Sequence, residues 1–229
     1  MSGGGGLPTL FETMRVAGGT LPLLDRHVER LMDACRLTGL LTPPDDLPLE
    51  ARGHGLRPPA DRVLRVSWDG AKLVWDDRDL EPAPPLRVVT VDELHPGYAV
   101  KSTQRAAFDR ALEAARERGA DEPVLLTGGG RVAETARYAI GWIEDERIVF
   151  PDLSLEILPS VGRGRVVELA PSLGLAVKTG AYGRAALTGR APFLVNAVQG
   201  VVRVKRVDGE SVPVDERIDA LAAAFWPSA

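Results

Sequence analysis

The 229-residue sequence has a single cysteine, Cys35, and it lacks long apolar runs. One thiol cannot form an internal disulfide, which is typical of proteins from a reducing compartment. No apolar run approaches the roughly 20 residues that a membrane-spanning helix needs. The N-terminus has neither the basic start nor the apolar stretch of a secretory signal peptide, and the glycines at residues 3–6 are expected to form a flexible lead-in. These absences favour a cytoplasmic protein with no membrane partner.

A strong charge of one sign and a cluster of metal ligands are also missing. The formal net charge is −4, which gives no electrostatic reason to expect nucleic acid or an anionic membrane as a partner. The three histidines, His27, His54 and His95, are far apart, and their spacing predicts no metal site. His27 is interpreted as a structural residue, and the other two as isolated loop residues.

Strand-like and helix-like patterns alternate along the chain. Residues 10–16 and 20–24 predict one β-hairpin, and residues 62–68 and 72–75 predict another across the turn at Asp69 and Gly70. Apolar residues at 108, 111, 112 and 115 have the spacing of a buried helical face, and that helix is expected to end at Gly119. Further strands are predicted at residues 123–126, 140–143 and 147–150, and a C-terminal helix at residues 214–225. The pattern as a whole predicts an α+β fold.

Three motifs in the second half of the chain indicate one kind of chemistry. Lys101 lies in V-K-S-T-Q-R, Glu134 ends G-R-V-A-E, and residues 156–163 read E-I-L-P-S-V-G-R at the start of a predicted helix. A lysine that forms a Schiff base, an acid for a pyridinium nitrogen and amides at a helix start are what a pyridoxal phosphate site needs.

This ordered set resembles the fold-type IV pyridoxal-phosphate enzymes, which include branched-chain and D-amino-acid aminotransferases and 4-amino-4-deoxychorismate lyase. The N-terminal F-E-T-x-R-V and H-x-x-R-L motifs and the later F-L-V-N-A-V-Q-G-V element resemble the same family. The resemblance implies an α/β subdomain at residues 1–96 and a larger pseudo-barrel domain at residues 97–229. It also implies a homodimer with pyridoxal phosphate as cofactor.

The resemblance assigns roles to individual residues. It implies that Lys101 binds the cofactor covalently and acts as the catalytic base, and that Glu134 pairs with the ring nitrogen. The resemblance also implies that five further residues hold the cofactor phosphate. Arg30 would do so through its side chain, and the others lie around two backbone turns: Val161, Gly162, Asn196 and Ala197.

The substrate is less defined than the cofactor. Arg105, Arg137 and Tyr138 are the residues predicted to meet a substrate carboxylate. Ala139 replaces an asparagine that is usual in the family, and Glu156 and Ser160 replace glycines. The substrate site therefore looks trimmed, while the cofactor site looks retained.

Three functions follow from this resemblance. The F-E-T opening and the D-A-C-R that follows H-x-x-R-L favour a lyase that converts 4-amino-4-deoxychorismate to 4-aminobenzoate and pyruvate. The alternatives are an aminotransferase for a branched-chain or D-amino acid, and a catalytically silent relative that acts as a binding protein.

Overall fold

The computed structural model describes residues 7–227, so the predicted lead-in at residues 3–6 lies outside the described part. The chain divides into two units. The first holds the residues up to Glu81 together with Val100–Arg105, and the second holds Pro82–Ala99 together with the residues from Ala106 onward. The predicted division between residues 96 and 97 falls inside the second unit, because the chain enters that unit at Pro82 and returns to the first at Val100.

The first unit is built on a three-stranded antiparallel sheet with two helices. The strands follow the order β1-β2-β3, with β1 at Leu10–Val16, β2 at Arg62–Trp68 and β3 at Leu73–Arg78. The helices are α1 at Leu24–Thr38 and α2 at Leu47–Gly55. Buried residues on one face of α1 form an apolar cluster with the alternate, inward-facing residues of β1 and β2.

The two predicted hairpins have different outcomes. The hairpin at Asp69 and Gly70 is confirmed, since β2 and β3 pair antiparallel on either side of this turn. The hairpin between residues 10–16 and 20–24 is wrong, because β1 pairs with β2 along its whole length. Leu23 and Leu24 are buried where α1 begins. The apolar residues that predicted a second strand therefore belong to the entry of this helix.

The second unit is built on a nine-stranded mixed sheet in the order β6-β5-β4-β11-β10-β7-β8-β9, with β12 pairing to β11. Its strands are β4 Leu86–Leu94, β5 Glu122–Leu126, β6 Val132–Thr135, β7 Ala139–Glu144, β8 Arg147–Pro151, β9 Ala176–Gly180, β10 Ala191–Asn196, β11 Gly200–Val207 and β12 Glu210–Ser211. Its α-helices are α3 Ala106–Glu117, α4 Val161–Leu169 and α5 Glu216–Ala224.

The helix predicted between Lys101 and Glu134 is confirmed as α3. Its buried residues Phe108, Ala111 and Ala115 form a cluster with apolar residues of β4 and β5. The chain turns after the helix at Gly119, whose φ of +70° is the left-handed conformation that glycine adopts most readily. The strands predicted at 123–126, 140–143 and 147–150 are found as β5, β7 and β8.

Within residues 7–227, no helix combines the length and the apolar character that crossing a membrane would require.

Candidate active site

Lys101 lies in the segment that returns to the first unit and runs beside β1. The Phe11 N–H donates to the Lys101 carbonyl at 3.1 Å, and Leu10 forms a bridge with Ser102. Lys101 is half-buried, and its Nζ lies 4.6 Å from the centroid of the Phe11 ring. The guanidinium carbon of Arg65 lies 3.9 Å from the same centroid. The ring therefore contacts two cations, an arrangement that its negative faces stabilise.

Arg30 belongs to a buried polar cluster of the first unit with Glu12 and His27. Its Nε donates to Glu12 Oε1 at 2.8 Å and its Nη2 donates to Glu12 Oε2 at 2.5 Å, a bidentate pair. His27 and Arg30 are three residues apart on α1 and so share one face. The His27 Nδ1 lies 2.7 Å from Glu12 Oε2. We call these three residues the Glu12 cluster.

The Glu12 cluster has a defined charge state. Burial on its own would raise the pKa of Glu12, but the charge of Arg30 and the hydrogen bond from His27 lower it to about 2. Burial also lowers the pKa of His27, and the charges of Arg30 and Lys101 lower it further against the opposing effect of Glu12. At neutral pH the cluster therefore contains an anionic Glu12, a cationic Arg30 and a neutral His27.

Glu134 is a buried carboxylate on β6 of the second unit. Its Oε1 lies 2.8 Å from His95 Nε2 and accepts a hydrogen bond from the Leu158 N–H at 3.3 Å. His95 follows β4, and its side chain is 1% exposed. The interpretation of His95 as an isolated loop histidine is therefore wrong. No pattern in the sequence indicates this pair, because it depends on how β4, β5 and β6 are arranged.

A backbone cradle forms where α4 begins, against the turn between β10 and β11. A Cβ on Gly162 would lie 2.8 Å from the Asn196 carbonyl carbon and Cα, so only glycine allows this close approach. Asn196 shapes the turn, since its Oδ1 accepts from the N–H groups of Val198 and Gln199 at 2.9 and 2.7 Å. Among residues 7–227, no acceptor is found for the N–H groups of Val161, Gly162 and Ala197.

Two departures from the family pattern have structural explanations. Ser160 is the N-cap of α4 with extended dihedrals, and its hydroxyl accepts from the Arg163 N–H at 3.3 Å. A glycine is therefore not required there, and serine is a favoured cap. Glu156 has a φ of +57°, so it occupies a left-handed position where glycine would be less strained.

The three predicted substrate residues are placed in different surroundings. Arg137, which is 51% exposed, donates through Nε to the fully buried Glu122 and through Nη2 to the Asp121 carbonyl at 3.2 Å. Burial raises the pKa of Glu122 despite this partner. Tyr138 is buried in the apolar cluster of the second unit, and Arg105 is half-buried in the segment of Lys101. Arg105 belongs to the first unit, and Arg137 and Tyr138 belong to the second.

Two comparisons of the sequence with known proteins point to the same family. The sequence model of the family described as amino-transferase class IV matches residues 78–207. The aminodeoxychorismate lyase of Bacillus subtilis is 33% identical over 238 residues, which is 87% of this chain and 77% of that protein.

Two solved structures have a similar fold. A candidate 4-amino-4-deoxychorismate lyase from Legionella pneumophila has a TM-score of 0.84 and 22% identity, over 93% of this chain and 88% of that one. The PLP-bound form of a hypothetical aminotransferase from Mycobacterium tuberculosis has a TM-score of 0.84 and 21% identity, over 94% and 87%. At these identities the similarity concerns the fold alone.

Proposed function

Because the chain belongs to the class IV amino-transferase family, we propose that it is a 4-amino-4-deoxychorismate lyase, which forms 4-aminobenzoate and pyruvate. At a coarser level it is a pyridoxal-phosphate-dependent enzyme, a lyase or an aminotransferase. The resemblance seen in the sequence is confirmed, and so is the α+β architecture of fold-type IV.

The observation that carries the lyase proposal is the match to the Bacillus subtilis aminodeoxychorismate lyase. It extends over most of both chains and is not restricted to the cofactor motifs. The F-E-T of β1 and the D-A-C-R of α1 support the same function by resemblance.

The donors in each unit fit pyridoxal phosphate. In the second unit, the N–H groups at the start of α4 and in the β10–β11 turn, for which residues 7–227 offer no acceptor, suit a phosphate, because a helix N-terminus favours an anion. The carboxylate of Glu134 suits a protonated ring nitrogen. In the first unit, Arg30 is the side chain that the resemblance assigns to the phosphate, and Glu12 holds it through Nε and Nη2. Lys101 would carry the cofactor through a covalent bond.

The reaction would depend on a few side chains. When bound, pyridoxal phosphate withdraws electrons from the substrate carbon that bears the amino group. The Nζ of Lys101, once the substrate amine has released it, would take the proton from that carbon. The carboxylate of Glu134 would pair with the ring nitrogen of the cofactor. The bond between the ring carbon and the enolpyruvyl oxygen would then break, and the departing enolpyruvate would take up one proton, equal in number to the one that Lys101 removed, to become pyruvate. The ring that remains is aromatic, and this aromatisation favours the lyase direction.

The second candidate is an aminotransferase. It is favoured by the match to the sequence model of the family described as amino-transferase class IV. The same cofactor residues would serve, and the amino group would pass to a 2-oxo acid.

We further propose a homodimer and a role in folate-type metabolism, both of which rest on the family resemblance.

The test is a comparison of two assays on the protein loaded with pyridoxal phosphate. Incubation with 4-amino-4-deoxychorismate is expected to give 4-aminobenzoate and pyruvate in equal amounts, separated by chromatography. Incubation with branched-chain or D-amino acids and 2-oxoglutarate is expected to give little glutamate. Transfer to 2-oxoglutarate without release of 4-aminobenzoate would overturn the lyase proposal and leave the aminotransferase.

A further inference from the structure

Within the described part of the chain, the hydrogen bonds to the Glu134 carboxylate are all on one oxygen. His95 and the Leu158 N–H both bond to Oε1, at 2.8 and 3.3 Å. No residue within 7–227 donates to Oε2. The two oxygens of a buried carboxylate are thus made different by their surroundings, and one of them remains available to a ligand.

The tautomer of His95 follows from its second hydrogen bond. The Gly97 N–H donates to His95 Nδ1 at 3.3 Å. A ring nitrogen that accepts a hydrogen bond carries no proton, so in the neutral ring the proton is on Nε2. In this tautomer, the Nε2–H of His95 donates to Glu134 Oε1.

The ring of His95 is fixed from several sides. Its backbone N–H donates to the Leu126 carbonyl at 2.8 Å, and its ring meets the Phe108 ring edge-on with centroids 5.6 Å apart. With the side chain 1% exposed, the ring cannot reorient without breaking these contacts. Such rigidity is what is needed to orient a neighbouring group.

The two segments that donate to Glu134 are also joined to each other. The Tyr98 N–H donates to the Glu156 carbonyl at 2.6 Å, which ties the turn after His95 to the turn before Leu158. Gly97 and Glu156 both have positive φ, 72° and 57°, where these turns meet. The side chain of Glu156 also packs closely against Gly97, since a Cβ on Gly97 would lie 3.1 Å from Glu156 Oε2. Both donors to Oε1 are therefore held by one connected structure.

We propose that His95 is a positioning residue for the cofactor, which holds Glu134 by Oε1 so that Oε2 faces the ring nitrogen of pyridoxal phosphate. The inference rests on the proposed function, because it requires Glu134 to be the partner of that nitrogen. Without His95, the carboxylate would lose a charge-assisted hydrogen bond and could rotate away from the geometry that the ring needs. Partners that orient a ligand-binding group in this way are worth about 10–100-fold in affinity at metal sites.

The test compares pyridoxal phosphate with its 1-deaza analogue, in which a C–H replaces the ring nitrogen while the aldehyde and the phosphate remain. A contribution through Glu134 affects only the first ligand, whereas a general loss of structure affects both. Dissociation constants are measured by titrating the cofactor-free protein, and Glu134→Gln serves as the benchmark. The variants are His95→Leu, which removes the donor, and His95→Gln, whose amide nitrogen can reach the position of Nε2.

For His95→Leu we expect the preference for pyridoxal phosphate over the analogue to fall about 10-fold, toward that of Glu134→Gln. Affinity for the analogue should be unchanged, and His95→Gln should recover most of the preference. If His95→Leu does not fold, as judged by thermal unfolding, His95→Asn replaces it, since its shorter amide does not reach Glu134.

An equal loss of affinity for both ligands would overturn the inference and leave His95 a purely structural role. If His95→Leu keeps the wild-type preference for pyridoxal phosphate over the analogue while Glu134→Gln clearly loses it, the role of His95 is overturned and the proposed function is not. If the wild-type protein binds neither ligand, both the proposed function and the role of His95 fail.

Discussion

At the scale of single residues, Glu12 is a buried carboxylate held by two partners. It is 2% exposed and bonded to both Arg30 and His27. Its pKa falls from 4.5 to about 2 in the folded protein. A carboxylate with a lowered pKa stabilises the fold above its unfolded pKa, and this stabilisation is lost as the pH falls toward the folded pKa. The pKa of His27 is also lowered, so protonation of His27 below its ordinary 6.5 favours unfolding in the same direction.

We predict that Glu12→Gln lowers the free energy of unfolding at pH 7 by about 3 kcal/mol, because it leaves the Arg30 guanidinium without its buried partner. The difference from wild type should narrow as the pH is lowered from about 4.5 to about 2, where Glu12 becomes protonated. Urea unfolding at a series of pH values measures both effects.

The control for Glu12→Gln is Glu93→Gln, which removes the partner of the largely exposed Arg110. Ion pairs at the surface contribute little, so this variant should unfold much like wild type at every pH. A difference between Glu12→Gln and wild type that stays constant from pH 7 to pH 3 would contradict the assignment of the ion pair.

At the scale of elements, the meeting of α4 with the β10–β11 turn determines where an anion can bind. Ser160 caps the helix, Asn196 closes the turn, and Gly162 lets the two approach. The cradle therefore depends on backbone geometry, and its side chains act mainly by shaping that backbone.

We predict that Gly162→Ala weakens binding of pyridoxal phosphate and lowers the free energy of unfolding by about 1–3 kcal/mol. The added Cβ would meet backbone atoms of Asn196 at 2.8 Å, which cannot move aside as a flexible side chain could. Cofactor titration and urea unfolding are the measurements. Gly128→Ala is the matched control, because nothing lies within 4 Å of its Cβ. Unchanged cofactor affinity in Gly162→Ala would contradict the cradle.

Elements with a local signal could be predicted from the sequence, and those defined by distant pairing could not. The spacing of Phe108, Ala111 and Ala115 records one helical face, and the turn at Asp69 and Gly70 fixes a hairpin through neighbouring residues. The partner of β1 could not be found in this way, because β2 begins at Arg62, far along the chain, and the residues just after β1 enter a helix.

At the scale of the whole molecule, the family could be recognised because its motifs occur in a fixed order along the chain. The contacts that position these motif residues could not be predicted from the sequence. His95 lies against Glu134 only because β4, β5 and β6 are brought together. Glu12 lies against Arg30 only because α1 packs on β1. No single-residue pattern in one sequence records such pairs. The roles assigned to Lys101, Arg30 and Glu134 remain predictions that experiment has to test.

The most direct test of the account is reduction of the protein loaded with pyridoxal phosphate by borohydride, followed by peptide mass spectrometry. Reduction makes a covalent bond between lysine and cofactor permanent. We predict the added mass on the peptide that contains Lys101, its absence in Lys101→Ala, and its retention in Lys205→Ala, which changes an exposed lysine. Attachment to a different lysine, or no attachment in the wild-type protein, would contradict the account.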